Sequence, residues 1–304
     1  MQIRELASGL RFPEGPVAMA DGSVIVVEMV PGRITRVKPD GATQTIATLG
    51  GGPNGLAVGP DGALYVCNNG GNFSYLDMGG MLIPGHTPPQ HKGGRIERVN
   101  ISTGKTETLY SECDGARLIA PNDIVFDGTG GFWFTDYGSE TATQRLLGGL
   151  YYARADGSRI VRVLNSLLTP NGVGLSPDGA HVYYAETVTA RLWDLPLASP
   201  GVGAMPPGLL PANFVGNYPG LAYFDSLGVQ EDGGVCVGTI FAGGISTFWP
   251  GTAKFEHTPL PDLVVTNICW GGPQRKTAFV TMSSTGKLAA LEWRSPGLKL
   301  AYNG

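Results

Sequence analysis

The chain has 304 residues, enough for a large buried core and for one or two domains. Its 25 acidic and 21 basic residues nearly balance, and no Lys/Arg run occurs, so nucleic acid is not an expected partner. No apolar run approaches the ~18 residues of a membrane span, and the opening MQIRELASGL has no basic segment leading into an apolar one, so neither a membrane nor a signal peptide is expected.

In chain order, Gln2 to Leu6 reads as a short strand. Six copies of one hairpin pattern follow. They are FPEGPVAMADGSVIVVE around Glu14, GPNGLAVGPDGALYVCN around Asn54 and APNDIVFDGTGGFWFTD around Asn122. The last three are TPNGVGLSPDGAHVYYAE around Asn171, YFDSLGVQEDGGVCVGT around Asp225 and VTNICWGGPQRKTAFVT around Asn267. Each opens on a polar or acidic residue, runs into apolar positions such as Leu56-Ala57-Val58, and turns about seven residues on. Asp21-Gly22, Asp61-Gly62, Asp178-Gly179 and Asp232-Gly233 suit two-residue hairpin turns with positive φ at both positions. A β-branched and aromatic strand returns, as in Val24-Ile25-Val26-Val27 and Phe132-Trp133-Phe134. A third strand follows in several copies, as in Gly32 to Val37 and Gly94 to Val99.

The anchors are spaced 40, 68, 49, 54 and 42 residues apart. That averages about 51 residues per copy over the whole chain, the length of a four-stranded propeller blade. No helical periodicity interrupts the pattern. The expected fold is therefore all-β, a six-bladed β-propeller in one domain over residues 1–304, with the N-terminal strand completing the last blade. The 47 Gly and 23 Pro, spread without low-complexity tracts, suit many short strands and tight turns. Cys67, Cys113, Cys236 and Cys269 are scattered with no CxxC pair, so free, mostly buried thiols in a reducing cytoplasm are expected.

In a propeller the first strand of each blade lines the central channel. Glu14, Asn54, Asn122, Asn171, Asp225 and Asn267 should therefore converge at one channel mouth. Counting back across each turn places Glu28, Asn68, Asp136, Glu186, Thr239 and Thr281 in a polar shell just outside. An Asn-Gly pair is itself a strong hairpin signal, so Asn54-Gly55 and Asn171-Gly172 could be plain turns. Six equivalent positions that are all carboxylate or carboxamide favour a site. Such donors are hard oxygen ligands, suited to Ca²⁺, Mg²⁺ or Mn²⁺ and less to Zn²⁺. His86, His91, His181 and His257 follow no ligand spacing.

The motifs F-P-E-G-P, P-N-D-x-x-x-D, P-N-G-x-x-x-S-x-D-G and D-S-L-x-V-x-x-x-G, in this order, resemble the SMP-30/gluconolactonase/luciferin-regenerating-enzyme family. The stretch from Asn122 to Arg191 is also similar to bacterial calcium-dependent lactonases. The resemblance covers most of the chain. It implies one divalent metal, Ca²⁺ first among the candidates, held by Glu14, Asn171 and Asp225. Asp225 would also orient or deprotonate the attacking water. Asn122 would face the substrate or complete the metal shell, with Asn54, Asp136 and Glu186 as further substrate-side residues. Asp123 and Asp136 match positions that hold a second ion in some relatives. The implied activity is hydrolysis of a small-molecule lactone.

Two departures bear on the substrate. Sugar-lactone members often carry Arg two residues before the P-N-D Asn, where this chain has Ala120; the nearest upstream basic residue is Arg117. The connection from Asn68 to Gly93 is long and holds Phe73, Tyr75, Met78, Met81, Leu82 and Ile83. Such a loop is expected on the metal side, as a lid or as a subunit contact. Both features favour a lactone less polar or larger than gluconolactone. An arylesterase, a lyase or isomerase on the same metal, and a non-catalytic calcium-binding propeller remain open from the residues alone.

Overall fold

The computed structural model describes residues 2–204 and 210–303. Strands account for all the regular structure in these residues, with no helix long and apolar enough to cross a membrane. Six four-strand antiparallel units form the blades of a β-propeller. The first three contain Pro13–Ala18 to Thr43–Thr48, Pro53–Val58 to Thr106–Tyr110, and Pro121–Phe126 to Ile160–Leu167. The fourth starts at Pro170–Leu175 and carries an extra edge strand, Val202–Gly203. The fifth runs from Tyr223–Val229 to Phe255–Pro259.

The sixth blade joins the two ends of the chain. Its strands Val265–Gly271, Thr277–Met282 and Lys287–Glu292 take Ile3–Ala7 as their outer neighbour, with Ile3 opposite Leu291 and Ala7 opposite Leu288. This closing strand lies one residue later than expected.

The second strand of each blade is almost wholly buried. Val24–Glu28, Leu64–Asn68 and Gly131–Asp136 have no exposed residue, which is why these segments read as continuous β-branched and aromatic runs. Six apolar clusters fill the spaces between neighbouring blades. Between blades three and four, for example, Trp133, Tyr152, Tyr184 and Leu195 pack together. Burying such a side chain is worth roughly 1.5–3 kcal/mol, so each blade is held mainly by its two neighbours. Cys67, Cys113 and Cys236 are buried and Cys269 half-buried, all as free thiols.

The turns between first and second strands differ from expectation. Gly22 donates to the Met19 carbonyl at 3.0 Å and Met19 to the Ser23 carbonyl at 2.8 Å. Only the glycine has positive φ, 80° at Gly22 and 72° at Gly62; Asp21 and Asp61 do not. Each Asp instead accepts the amide two residues on, Ser23 at 3.0 Å and Ala63 at 3.1 Å. The hairpins therefore use a type I turn followed by a left-handed glycine. The Asp side chain stabilises that geometry and needs no strained backbone of its own.

The connection after Asn68 forms a small hairpin, Tyr75–Asp77 with Leu82–Pro84. Leu82 donates to the Ser284 carbonyl of blade six at 2.9 Å. Asn72 reaches the Gly138 carbonyl and Thr87 the Glu140 carbonyl, both of blade three. Leu82 also packs with Phe12, Met29 and Val264, against Ile240 of blade five. The hairpin thus arches over the channel mouth from blade two.

Candidate active site

The ladder between first and second strands is interrupted at or beside the anchor in every blade. In blade three Pro121 pairs with Asp136 and Ile124 with Phe134, so Asn122 and Asp123 together face Thr135 alone. The interruptions fall between Glu14 and Val17, Pro53 and Leu56, Pro170 and Val173, Phe224 and Leu227, and Val265 and Asn267. Such a bulge frees the extra residue from the pleat and re-aims its side chain. Beside it each blade touches the next.

Gly55 follows Asn54 so closely against blade three that a Cβ there would sit 2.5 Å from the Asn122 carbonyl oxygen. At Gly172 a Cβ would lie 2.6 Å from the Leu227 nitrogen and 2.8 Å from the Asp225 carbonyl oxygen. Neither glycine has positive φ, and both lie inside strands. The Asn-Gly pairs are points of close approach between blades and not turns. Thr135 donates to the Asn171 carbonyl, and Ser283 of blade six to the Pro13 carbonyl, so the ring of anchors closes.

The anchors are buried. Glu14 Oε2, Asn54 Oδ1 and Asn122 Oδ1 have no hydrogen-bond partner. Asn171 gives its Nδ2 to Thr187 Oγ1 at 3.1 Å, while its Oδ1 accepts only a 3.4 Å bond from Ser226. Asn267 Oδ1 accepts the Ile268 amide at 2.7 Å.

Burial, together with the charges of Asp225 and Asp123, holds Glu14 well above the usual carboxylate range despite a bond from Thr266. Burial raises Asp225 to about 8, opposed by Asn171 and the Ser226 amide. Asp123 is pushed up to about 7 by burial, against the Val173 and Ile124 amides. Glu14, Asp123 and Asp225 thus feel one another, and all three resist ionisation unless a positive charge is supplied.

The outer residues are placed differently. Asp136 accepts the amides of Ile119, Ala120 and Gly138 at 2.7, 2.8 and 3.0 Å. Glu186 accepts the Leu168 amide and the Thr189 hydroxyl. Glu28 accepts Arg33 and Thr35, and Asn68 binds Gly52 and Glu97. These side chains brace loops within their own blades and do not join the anchor ring. Asp123 belongs to that ring, but its oxygens already accept the Ile124 and Val173 amides at 2.9 and 3.1 Å. Ala120 is fully buried, and Arg117 is exposed and bonded to the Lys92 carbonyl.

Two tyrosines complete the surroundings. Tyr75 of the hairpin and Tyr137, next to Asp136, are pushed above the usual phenol range by burial, with Glu14 and Asp225 acting on Tyr75 and Asp225 on Tyr137. Their hydroxyls therefore stay protonated as donors. Tyr75 lies against Phe12 at 5.2 Å and Tyr137 against Phe73 at 5.3 Å, between ring centroids. Tyr137, Thr187 and Ser226 were not singled out in the sequence, although each directly follows a residue that was.

The donor set suits a hard divalent cation. It combines acceptor-only oxygens without partners with carboxylates that lack compensating charge. Among the described residues no group of three carboxylate, imidazole or thiol side chains forms a ready-made cage. A cation here would rely on the carboxamides as well as on Glu14 and Asp225.

Comparison with known proteins agrees with this architecture. Lactonase drp35 of Staphylococcus epidermidis is 29% identical over 202 residues, which cover 65% of this chain and 55% of that protein. The match thus spans about half of that relative's length. The gluconolactonase of Zymomonas mobilis is 26% identical over 92% of this chain and 79% of its own. Among solved structures, a gluconolactonase from Xanthomonas campestris superposes with a TM-score of 0.75 at 20% identity, over 97% of this chain and 89% of the other. The calcium-binding protein regucalcin from Agrobacterium tumefaciens gives 0.68 at 17%, over 96% and 95%. The profile of the SMP-30/Gluconolactonase/LRE-like region matches residues 12–284, so the chain belongs to that family.

Proposed function

We propose that this protein is a metal-dependent lactonase whose active site is the anchor ring under the hairpin. The observation that carries the reading is the convergence of unpartnered buried oxygens on Glu14, Asn54 and Asn122 with the charge-starved carboxylates Glu14 and Asp225. The lactonases among its relatives support the reaction class. Glu14, Asn171 and Asp225 would hold the cation, Ca²⁺ first by the hardness of the donors. A bound divalent ion would supply Lewis-acid polarisation of an ester carbonyl and charge compensation.

The chain's own groups would do the rest. Asn122 and Asn54 offer carboxamides to the lactone carbonyl and ring substituents. Asp225 takes the proton of the attacking water as the C–O bond to that water forms. The ring C–O bond then breaks, and the proton passes to the departing ring oxygen, giving the open hydroxy acid. Tyr75 and Tyr137 are protonated donors beside the carboxylates. The hairpin above them limits water to what the reaction uses.

The test is chelator stripping followed by reloading with Ca²⁺, Mg²⁺, Mn²⁺ or Zn²⁺, with hydrolysis of sugar, alkyl and aryl lactones followed by a pH indicator. Turnover should vanish on stripping and return with one ion, and Asp225→Ala should lower it at least a thousandfold. A folded protein that binds the ion and opens no lactone would replace this reading with a calcium-binding role.

A further inference from the structure

We infer that the mouth of the propeller is an apolar collar, and that the lactone it admits carries an alkyl or aryl substituent lying against Phe241. The inference rests on the lactonase reading. Among the described residues eleven large apolar side chains are exposed, and seven of them stand on loops of the anchor-bearing face. They come from different parts of the ring: Met78 on the hairpin, Leu147 of blade three, Leu221 and Leu263 on either side of blade five, and Phe241 within it. Scattered exposed apolar residues need no explanation, but a concentration around one opening marks a ligand or contact surface. A polyhydroxylated ring would gain little from such walls. Nor does the loop before Asn122 offer a guanidinium, since Ala120 is buried and Arg117 is spent on Lys92.

Phe241 carries the argument furthest. It follows the second strand of the Asp225 blade, is 47% exposed, and holds φ at 69°. Its amide is fixed on the Leu263 carbonyl at 2.8 Å, and its ring meets Tyr223 at 5.0 Å. The left-handed conformation disfavours a bulky side chain by roughly tenfold or more in population. Glycine or asparagine would take it at little cost. Within its blade the ring touches Tyr223 by an edge and leaves nearly half of its surface exposed, so the strained phenylalanine offers that surface to something outside. On the same face the aromatic pairs Phe73–Tyr137 and Phe12–Tyr75 bring two tyrosines within reach of the carboxylate charges.

The test uses γ- and δ-lactones with unbranched side chains of increasing length, and the corresponding lactams, which bind but resist opening. For the wild-type protein, kcat/KM for the lactones and affinity for the lactams should rise roughly two- to fourfold per methylene until the chain outgrows the collar. Phe241→Gly should flatten both slopes through KM and weaker lactam binding. Its unfolding temperature should be held or raised, because glycine relieves the strained φ. Phe241→Leu should keep part of the slope.

Chain-independent wild-type values, or the same slope in Phe241→Gly, would overturn the collar while leaving hydrolysis standing. Lactam binding that grows with chain length in a protein that opens no lactone would uphold the collar and overturn the hydrolytic reading. A dimer in sedimentation that dissociates on Phe241→Gly would assign the collar to a second copy of the chain and overturn the substrate assignment.

Discussion

Without a bound cation, stability should fall as pH rises, an unusual sign for a protein with 25 carboxylate side chains. Asp123 titrates near 3.8 in the unfolded chain and at about 7 in the fold, and Asp225 moves from 3.8 to about 8. Between these values the cation-free fold binds protons that the unfolded chain has released. The unfolded state then holds fewer protons, and stability declines with pH. Each such group contributes about 1.4 kcal/mol per pH unit. From pH 5 to 7 the two together weaken the stripped protein by up to about 5 kcal/mol. For a chain of this length that is a fall in Tm on the order of 5–10 °C.

The exposed carboxylates Asp21, Asp156 and Asp178 are shifted downward, so their contributions are lost only at more acid pH, outside this window. The assay is differential scanning calorimetry of chelated protein between pH 5 and 7. Saturating Ca²⁺ should abolish or reverse the slope, because binding requires the deprotonated carboxylates. Asp225→Asn should remove about half of it. A flat Tm for the stripped protein, or a slope untouched by Asp225→Asn, would refute the reasoning that these carboxylates lack a charge partner.

Three substitutions separate the ring from its supports. Asp136→Ala leaves the Ile119, Ala120 and Gly138 amides without their acceptor, and should cost about 3 kcal/mol in urea unfolding while cation affinity by calorimetry stays within about twofold. Gly172→Ala forces a methyl against Asp225 and Leu227; it should cost about 2 kcal/mol and weaken cation binding at least tenfold, read in the same titration. Gly179→Ala, at a hairpin tip with open space but φ of 69°, should cost only about 1 kcal/mol and leave the titration unchanged.

The propeller was legible because its signal is redundant. Each blade repeats the same buried second strand between two neighbours, so the runs Val24–Glu28 and His181–Glu186 announce themselves by composition. Turn type was less legible, since Asp-Gly serves both a two-residue turn and a type I turn with a following glycine. The geometry that decides lies in the Asp side-chain bond to the amide two residues on. The reach of the hairpin was not legible in detail. Tyr75 meets Phe12 and Phe73 meets Tyr137, pairs about 60 residues apart, and no local pattern encodes which blade a long loop crosses.

The outer polar positions show why the same residue types can serve two purposes. Paired residues in an antiparallel ladder share a face of the sheet. Asp136 is paired with Pro121 and Glu186 with Pro170, the prolines before the anchors and not the anchors themselves. Asp136 and Glu186 therefore point with those prolines into the loops of their own blades, where amides await acceptors. The next residue along, Tyr137 or Thr187, projects the other way. Thr187 reaches Asn171 directly, and Tyr137 feels the charge of Asp225. In blades three and four the bulge inserts its extra residue after the proline, and in a strand one residue is the difference between bracing a loop and facing the channel; in blade six the bulge precedes Asn267, which pairs with Thr281 as the count across the turn gives.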